Sequence, residues 1–229
     1  MATATKTKAP GTKAPKTKVK ATPKVKGLEL VSLSPASAEI ERMIEYFRED
    51  MGFNSIRITP IIQTQGQRKC YAHFTTDARW ARTDGQEGSH EIQVSAESLA
   101  RPATEIAATV LHELVHAKNC DSGITDCSNG GTYHNAKFKA TAEQYGLQCL
   151  EKTSINGHGL TALSPVMEAR IIAELQPNDK VFTMYRLTVP KGKSKSKMRK
   201  WECGCMVIRA AKEVTAVCTA CDEPFVEAD

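Results

Sequence analysis

The residues best placed to do chemistry in this chain are two histidines and a glutamate in the run His112-Glu113-Leu114-Val115-His116. Side chains four apart are neighbours on a helix, so His112 and His116 can reach one metal ion. Glu113 then projects to the side where a water on that metal would sit. Zinc lowers the pKa of such a water toward neutrality, and a carboxylate beside it can take the proton as the water attacks a carbonyl. The pattern is that of a zinc hydrolase with Glu113 as general base.

Two histidines leave this site short of a ligand, because catalytic zinc usually takes three from the protein and keeps the fourth position open. A metzincin would place a third histidine six residues after His116 with a glycine between, but position 122 is Ser and position 119 is Asn. A gluzincin would use a glutamate from a following helix, and Glu143, in a predicted helix over 135–145, is the candidate. His134 is favoured over it. It follows the flexible run Ser128-Asn129-Gly130-Gly131-Thr132-Tyr133 and stands where a loop can deliver a ring to the metal just before a helix. The competing reading of His134 is a helix-capping or exposed histidine.

The surrounding pattern predicts the elements that must hold these groups. Residues 104–118 read as a helix, with Ile106, Val110 and Leu114 at four-residue spacing, Pro102 just before it and Glu105 suited to its positive end. Residues 35–50 read as an amphipathic helix with Ile40, Met43, Ile44 and Phe47 on one face. Strands are expected at 55–62, 69–75 and 91–94, and a further helix at 161–175 ended by Pro177. This order gives an α+β fold of zincin-like arrangement with the His-Glu-x-x-His helix inside it. His73, His90 and His158 read as structural or exposed, and Cys70 and Cys149 as buried small apolar residues.

Several separate matches make the chain resemble the SprT-like metalloprotease family, which includes the Spartan-like enzymes. They are His112 to His116, Tyr133-His134-Asn135, Phe138-Lys139, Ala142-Glu143, Gly146-Leu147 and the upstream run from His90 to Leu99. The resemblance covers about residues 30–160. It implies a catalytic zinc on His112, His116 and His134, Glu113 as the base, and proteolysis of proteins crosslinked to DNA. The departure lies between His116 and His134, a connector longer than usual that carries Cys120 and Cys127. Together with Asp121 and Asp126 these cysteines match no established ligand spacing, although the two thiols could form a reversible bond that sets the loop.

The 229 residues have room for one catalytic domain and a small appendage, and 41% of them are hydrophobic. No apolar run approaches the length needed to cross a membrane, and the first twenty residues lack a secretory signal. An intracellular protein is expected, cytoplasmic or associated with nucleoid or nucleus. Eight cysteines in such a compartment read as metal ligands or free thiols. The net charge is +5, but residues 1–26 hold eight lysines and no acid. Taking those eight from 31 basic residues leaves 23 against 26 acids, so the tail carries the whole positive balance. Its Ala/Thr/Lys/Pro composition cannot bury a core, and a disordered arm is expected that neutralises phosphates through residues such as Lys13, Lys16, Lys18 and Lys20. A second basic run holds Lys193, Lys195, Lys197, Arg199 and Lys200. Two basic segments flanking one domain favour DNA, single- or double-stranded, as a partner.

Near the C-terminus stand Cys203-Gly204-Cys205 and, twelve residues on, Cys218-Thr219-Ala220-Cys221. Two close cysteine pairs separated by β-like stretches at 206–209 and 214–217 suggest a zinc-ribbon-like unit with a structural, closed four-sulfur site. Such a ribbon often follows a SprT-like domain. Trp201 and Tyr185 could stack on unpaired bases, with a core role favoured. The expected organisation is a basic tail over 1–26, the protease domain over 27–177 and the linker with its ribbon over 178–229. Two other functions stay open: a nucleic-acid-binding zinc protein without proteolytic activity, and a zinc hydrolase of a non-protein amide.

Overall fold

A computed structural model of the chain describes residues 27–66, 70–188 and 198–228. The basic tail 1–26 and the run that holds Lys193, Lys195 and Lys197 lie outside the described residues. The architecture is mixed α+β, with the helices packed on a small three-stranded sheet and a second three-stranded sheet near the C-terminus.

Helix α1 (Ser34–Met51) begins with a proline in its first turn and lays Ile40, Met43, Ile44, Phe47 and Met51 into the core. It stops at Gly52, whose φ of 58° is left-handed and whose N–H bonds Arg48 O, a geometry glycine adopts without penalty. Strands β1 (Ile58–Gln63), β2 (Ala72–Phe74) and β3 (His90–Ser95) follow. They pair in the order β1-β3-β2, with β1 parallel to β3 and β2 antiparallel to it. In the central strand Ile92 and Val94 are fully buried. β1 and β2 are shorter than the sequence pattern suggests, because pairing with β3 sets their length, whereas β3 extends one residue beyond its expected bounds at each end.

Helix α2 (Ala103–Asp121) crosses this core with Ile106, Ala107, Val110, Leu114 and Val115 at 0% exposure. Fully burying a side chain of leucine or isoleucine size contributes about 1.5–3 kcal/mol, so this face anchors the helix. A carboxylate fastens each end, a distant one at the start and the helix's own at the finish. Asp179 Oδ1 accepts the Ala103 N–H at 2.6 Å, while Asp121 accepts the N–H groups of Asn54, Ser55 and Ile56 at 2.7 to 3.1 Å. Asp121 therefore ties α2 to the segment before β1 and has no part in the connector's donor set.

Beyond α2, strands β4 (Cys127–Ser128) and β5 (Tyr133–His134) form a short antiparallel pair. Helix α3 (Ala136–Gln144) is capped by Asn135, whose side chain accepts from Lys137 N and Phe138 N. Strands β6 (Leu147–Cys149) and β7 (Thr161–Leu163) then pair. This corrects the expected helix over 161–175. Its first three residues find a strand partner in Leu147 to Cys149, and the helix α4 (Pro165–Arg170) starts only after Ser164 caps Met167 N. A wider turn over Ile171–Leu175 completes it, and Gln176, at φ 48°, ends it before Pro177.

Residues 178–186 bond back onto the first unit: Asn178 N donates to Glu39 at 2.9 Å and Arg186 N to Ala96 O at 2.9 Å. The C-terminal unit is an antiparallel sheet of β8 (Arg199–Glu202), β9 (Val207–Ala210) and β10 (Val226–Ala228), ordered β10-β8-β9. The second expected stretch, 214–217, forms no strand; Val217 makes an isolated bridge to Pro224, and Val226 to Ala228 supplies the third strand instead. Among the described residues no helix is long and apolar enough to cross a membrane.

Candidate metal centres

Helix α2 presents His112 and His116 one turn apart, with ring centroids 5.1 Å from each other, and β5 brings His134 to 5.1 Å from the first and 4.9 Å from the second. The Nε2 atoms converge: His134 Nε2 lies 3.2 Å from that of His112 and 3.1 Å from that of His116. Phe138, at 0% exposure, forms the floor, its ring centroid 4.5 to 4.8 Å from all three imidazoles. The group could hold a metal ion.

Every Nδ1 atom is engaged elsewhere. That of His112 meets Thr161 Oγ1 at 2.9 Å, that of His116 meets Asp126 Oδ2 at 2.8 Å, and that of His134 meets Asn156 O at 3.2 Å. A carboxylate and a carbonyl oxygen only accept, so His116 and His134 donate from Nδ1. In the neutral rings the Nε2 lone pairs then face one another. Such an arrangement is unfavourable unless a cation lies among them, and fixing the tautomer through the other nitrogen is how proteins prepare imidazole ligands.

Asp126 is itself held. Asn119 Nδ2 donates to Asp126 Oδ2 at 2.9 Å, and Thr141 Oγ1 donates to Asn119 Oδ1 at 2.8 Å, so a buried chain runs from α3 through α2 to His116. Burial lowers the pKa of His112 well below the imidazole range, and the charges of His116 and His134 lower it further. Burial also holds His134 down at about 4, with His116 adding to the effect. His116 goes the other way. Its burial is outweighed by hydrogen bonds to Asp126 and Cys127 and by the charges of Glu113 and Asp126, which lift it to about 10.

Glu113 is 5% exposed, and burial raises its carboxyl to about 7, against the charge of His116 and the backbone N–H of Phe74, which it accepts from β2. A dication at the imidazole focus would draw this group back to the carboxylate form.

No family model, curated protein or solved structure matches this chain. The site must therefore be read from its own geometry.

The loop over 150–160 supplies contacts that the sequence reading missed. His134 N donates to Asn156 O at 3.1 Å, and His158 N donates to His134 O at 3.0 Å. A Cβ on Gly157 would lie 2.1 Å from His134 O, and one on Gly159 would lie 2.5 Å from His134 Nδ1. Only glycine permits this approach. The cluster Asn156-Gly157-His158-Gly159 signals a turn, yet nothing in its spacing says that the turn clamps His134. Thr161 was missed because its strand was read as helix.

Glu143, the alternative ligand, instead lies 3.6 Å from Lys139, with its side chain 49% exposed. His73 and His90 lie in β2 and β3, and the His90 ring stacks on Phe74 at 5.4 Å. Cys70 and Cys149 are only partly buried, which corrects their placing in the core; both are at or near the ends of short strands. Cys120 and Cys127 are not joined: Cys120 Sγ meets Thr76 O at 3.6 Å and Cys127 Sγ lies 3.9 Å from His116 Nδ1.

The second centre gathers Cys203, Cys205, Cys218 and Cys221, which could hold a metal ion. Cys203 and Cys205 sulfurs are 3.6 Å apart, and those of Cys205 and Cys218 are 3.5 Å apart. Backbone N–H groups of Ala220 and Cys221 lower the Cys218 thiol toward the thiolate, the form that binds metal. Of the expected nucleic-acid contacts within the described residues, Arg199 pairs with Glu227 at 2.9 Å and Lys200 with Glu202 at 2.8 Å. Trp201 is 6% exposed and its Nε1 is buried without a partner among the described residues, so its ring is not free to stack on a base; Tyr185 is exposed.

Proposed function

We propose that this chain is a SprT-like zinc endopeptidase that acts on proteins associated with or crosslinked to DNA. The observation that carries the hydrolytic reading is the convergence of three imidazole Nε2 atoms beside the buried Glu113 carboxyl. Tetrahedral zinc with Zn–N near 2.0–2.1 Å spaces its nitrogens by about 3.3 Å, close to the separations found here. The donor set fits that ion. A second zinc, structural and closed, suits the four cysteines.

When bound, zinc supplies Lewis acidity to the scissile carbonyl and to the attacking water. The protein's own groups do the rest. Glu113 takes the proton from the water and later delivers it to the leaving amine. The Phe74 N–H fixes the Glu113 carboxylate, which places β2 beside the reacting groups. Asp126, Thr161 and Asn156 O orient the three rings through Nδ1, so that no reorganisation is needed when the reaction begins. Phe138 excludes water from beneath the site.

Support for a nucleic-acid-associated substrate comes from the lysines of residues 1–26 and the basic run before β8. The test is cleavage of a DNA-binding protein by the zinc-loaded chain, with and without single-stranded DNA, beside Glu113→Gln. DNA-stimulated cleavage that Glu113→Gln abolishes is the expected result. Bound zinc and bound DNA without any cleavage would overturn the peptidase reading. DNA binding that persists after removing residues 1–26, 191–200 and the cysteine unit would overturn the role given to those segments.

A further inference from the structure

The connector between α2 and α3 carries a thiol, Cys127, that the hydrolytic chemistry does not use, beside the carboxylate of Asp126 that orients His116. Cys127 Sγ lies 3.9 Å from His116 Nδ1, and Asp126 Oδ2 lies 2.8 Å from the same nitrogen. All three donor atoms fall within 4.8 Å of one another. A tetrahedral ion with Zn–N near 2.0, Zn–O near 2.0 and Zn–S near 2.3 Å spaces nitrogen from sulfur by about 3.5 Å and nitrogen from oxygen by about 3.3 Å. Shifts of about half an ångström bring the two separations from His116 Nδ1 to those values.

The three donors are held in different ways, and that difference favours entry of an ion from the outer side. Asp126 is buried and fixed by Asn119, whereas Cys127 is only partly buried. Cys127 cannot drift far, because it pairs with His134 in the β4-β5 ladder. A thiol with an imidazole and one carboxylate is a donor set for thiophilic ions, not for calcium or magnesium.

We propose that His116 Nδ1, Asp126 and Cys127 form a second, thiophilic cation site that stands back to back with the three-histidine site and shares the His116 ring. On binding, one proton leaves Cys127 Sγ and one leaves His116 Nδ1, both to solvent, and no oxidation state changes. With both sites filled the ring bridges them as an imidazolate. The carboxylate that oriented His116 is then drawn to the new ion, so occupancy inhibits hydrolysis. Only this inhibitory consequence rests on the peptidase reading; the binding does not.

The experiment uses the full zinc-loaded chain and Cd2+ as the probe, with iodoacetamide labelling of each cysteine followed by peptide mass spectrometry. Cd2+ is expected to protect Cys127 from alkylation while Cys149 labels as before. Equilibrium dialysis gives the second readout: Cys127→Ser binds one Cd2+ fewer per chain than the unaltered protein, and His134→Ala retains that ion. Equal labelling of Cys127 with and without Cd2+ overturns the site, as does loss of the extra ion in His134→Ala, which would place it among the three histidines. If Cys127→Ser does not fold, the labelling of the unaltered chain decides alone. Absence of peptidase activity leaves these binding results readable.

Discussion

The two candidate metal centres are built on opposite principles. The histidine centre draws donors and their supports from α2, β5, β7, the connector and the loop over 150–160, all packed on a core that includes Leu111, Leu114 and Phe138. The cysteine centre takes four donors from two turns of a unit in which Trp201, Cys203 and Cys218 are the buried residues, and none of these belongs to the main core cluster. The first has its shape before any metal arrives. The second has only three buried residues among those described, so a metal on its four sulfurs would supply what apolar burial does not. The contrast separates a donor set built by a packed core from one built by two turns of a unit with little apolar burial.

The largest effect should come from attacking the second centre. Structural zinc in small units contributes about 10–16 kcal/mol of binding energy at neutral pH, so Cys218→Ser is expected to unfold residues 198–228 altogether. Hydrogen exchange should show that unit unprotected while α2 keeps its protection; joint unfolding of both would break the contrast. Glu113→Gln should lower cleavage by about 10²–10⁴-fold with zinc content unchanged, read by kinetics alongside metal analysis. Loss of zinc in that variant would mean that the carboxylate is part of the metal's support.

Phe138→Ala removes the floor under three rings and should destabilise the first unit by about 3–5 kcal/mol, measured by denaturant unfolding, without altering the C-terminal unit. Asp126→Asn keeps the shape but removes the charge behind His116, and metal affinity at the histidine centre should fall by about 10–100-fold in a chelator competition. Acid offers the gentlest separation. Glu97 has its carboxyl held at about 2 despite partial burial, by Gln65 N–H, Thr64 and Ser95, so its contribution is full above its ordinary value of 4.5 and is lost as pH falls through about 2. Glu97→Gln should therefore flatten the loss of first-unit stability between about pH 4.5 and 2 in denaturant unfolding; an unchanged acid limb would contradict this role.

What the sequence made legible follows from the range of each interaction. His112, Glu113 and His116 were readable because helical spacing alone places them together, and the cysteine pairs because each lies in one turn. His134 needed elimination among distant candidates. Thr161, Asn156 and Gly159 were not readable, since their roles depend on where β7 and its preceding loop pack. The run 161–163 looked helical because its partner strand lies twelve residues upstream, across a loop. Asp179 gave no local signal either, being a cap for a helix that starts 76 residues before it.

That cap also orders events in time. At 5–20 residues per second, the chain of a growing polypeptide reaches residue 179 about 4–15 s after Ala103 has been made. A product cut short before that residue would hold the three converging imidazoles, Glu113 and Thr161, yet leave the first turn of α2 without its carboxylate. The helix that carries His112, Glu113 and His116 thus gains its N-terminal cap only well after its own last residue has been made.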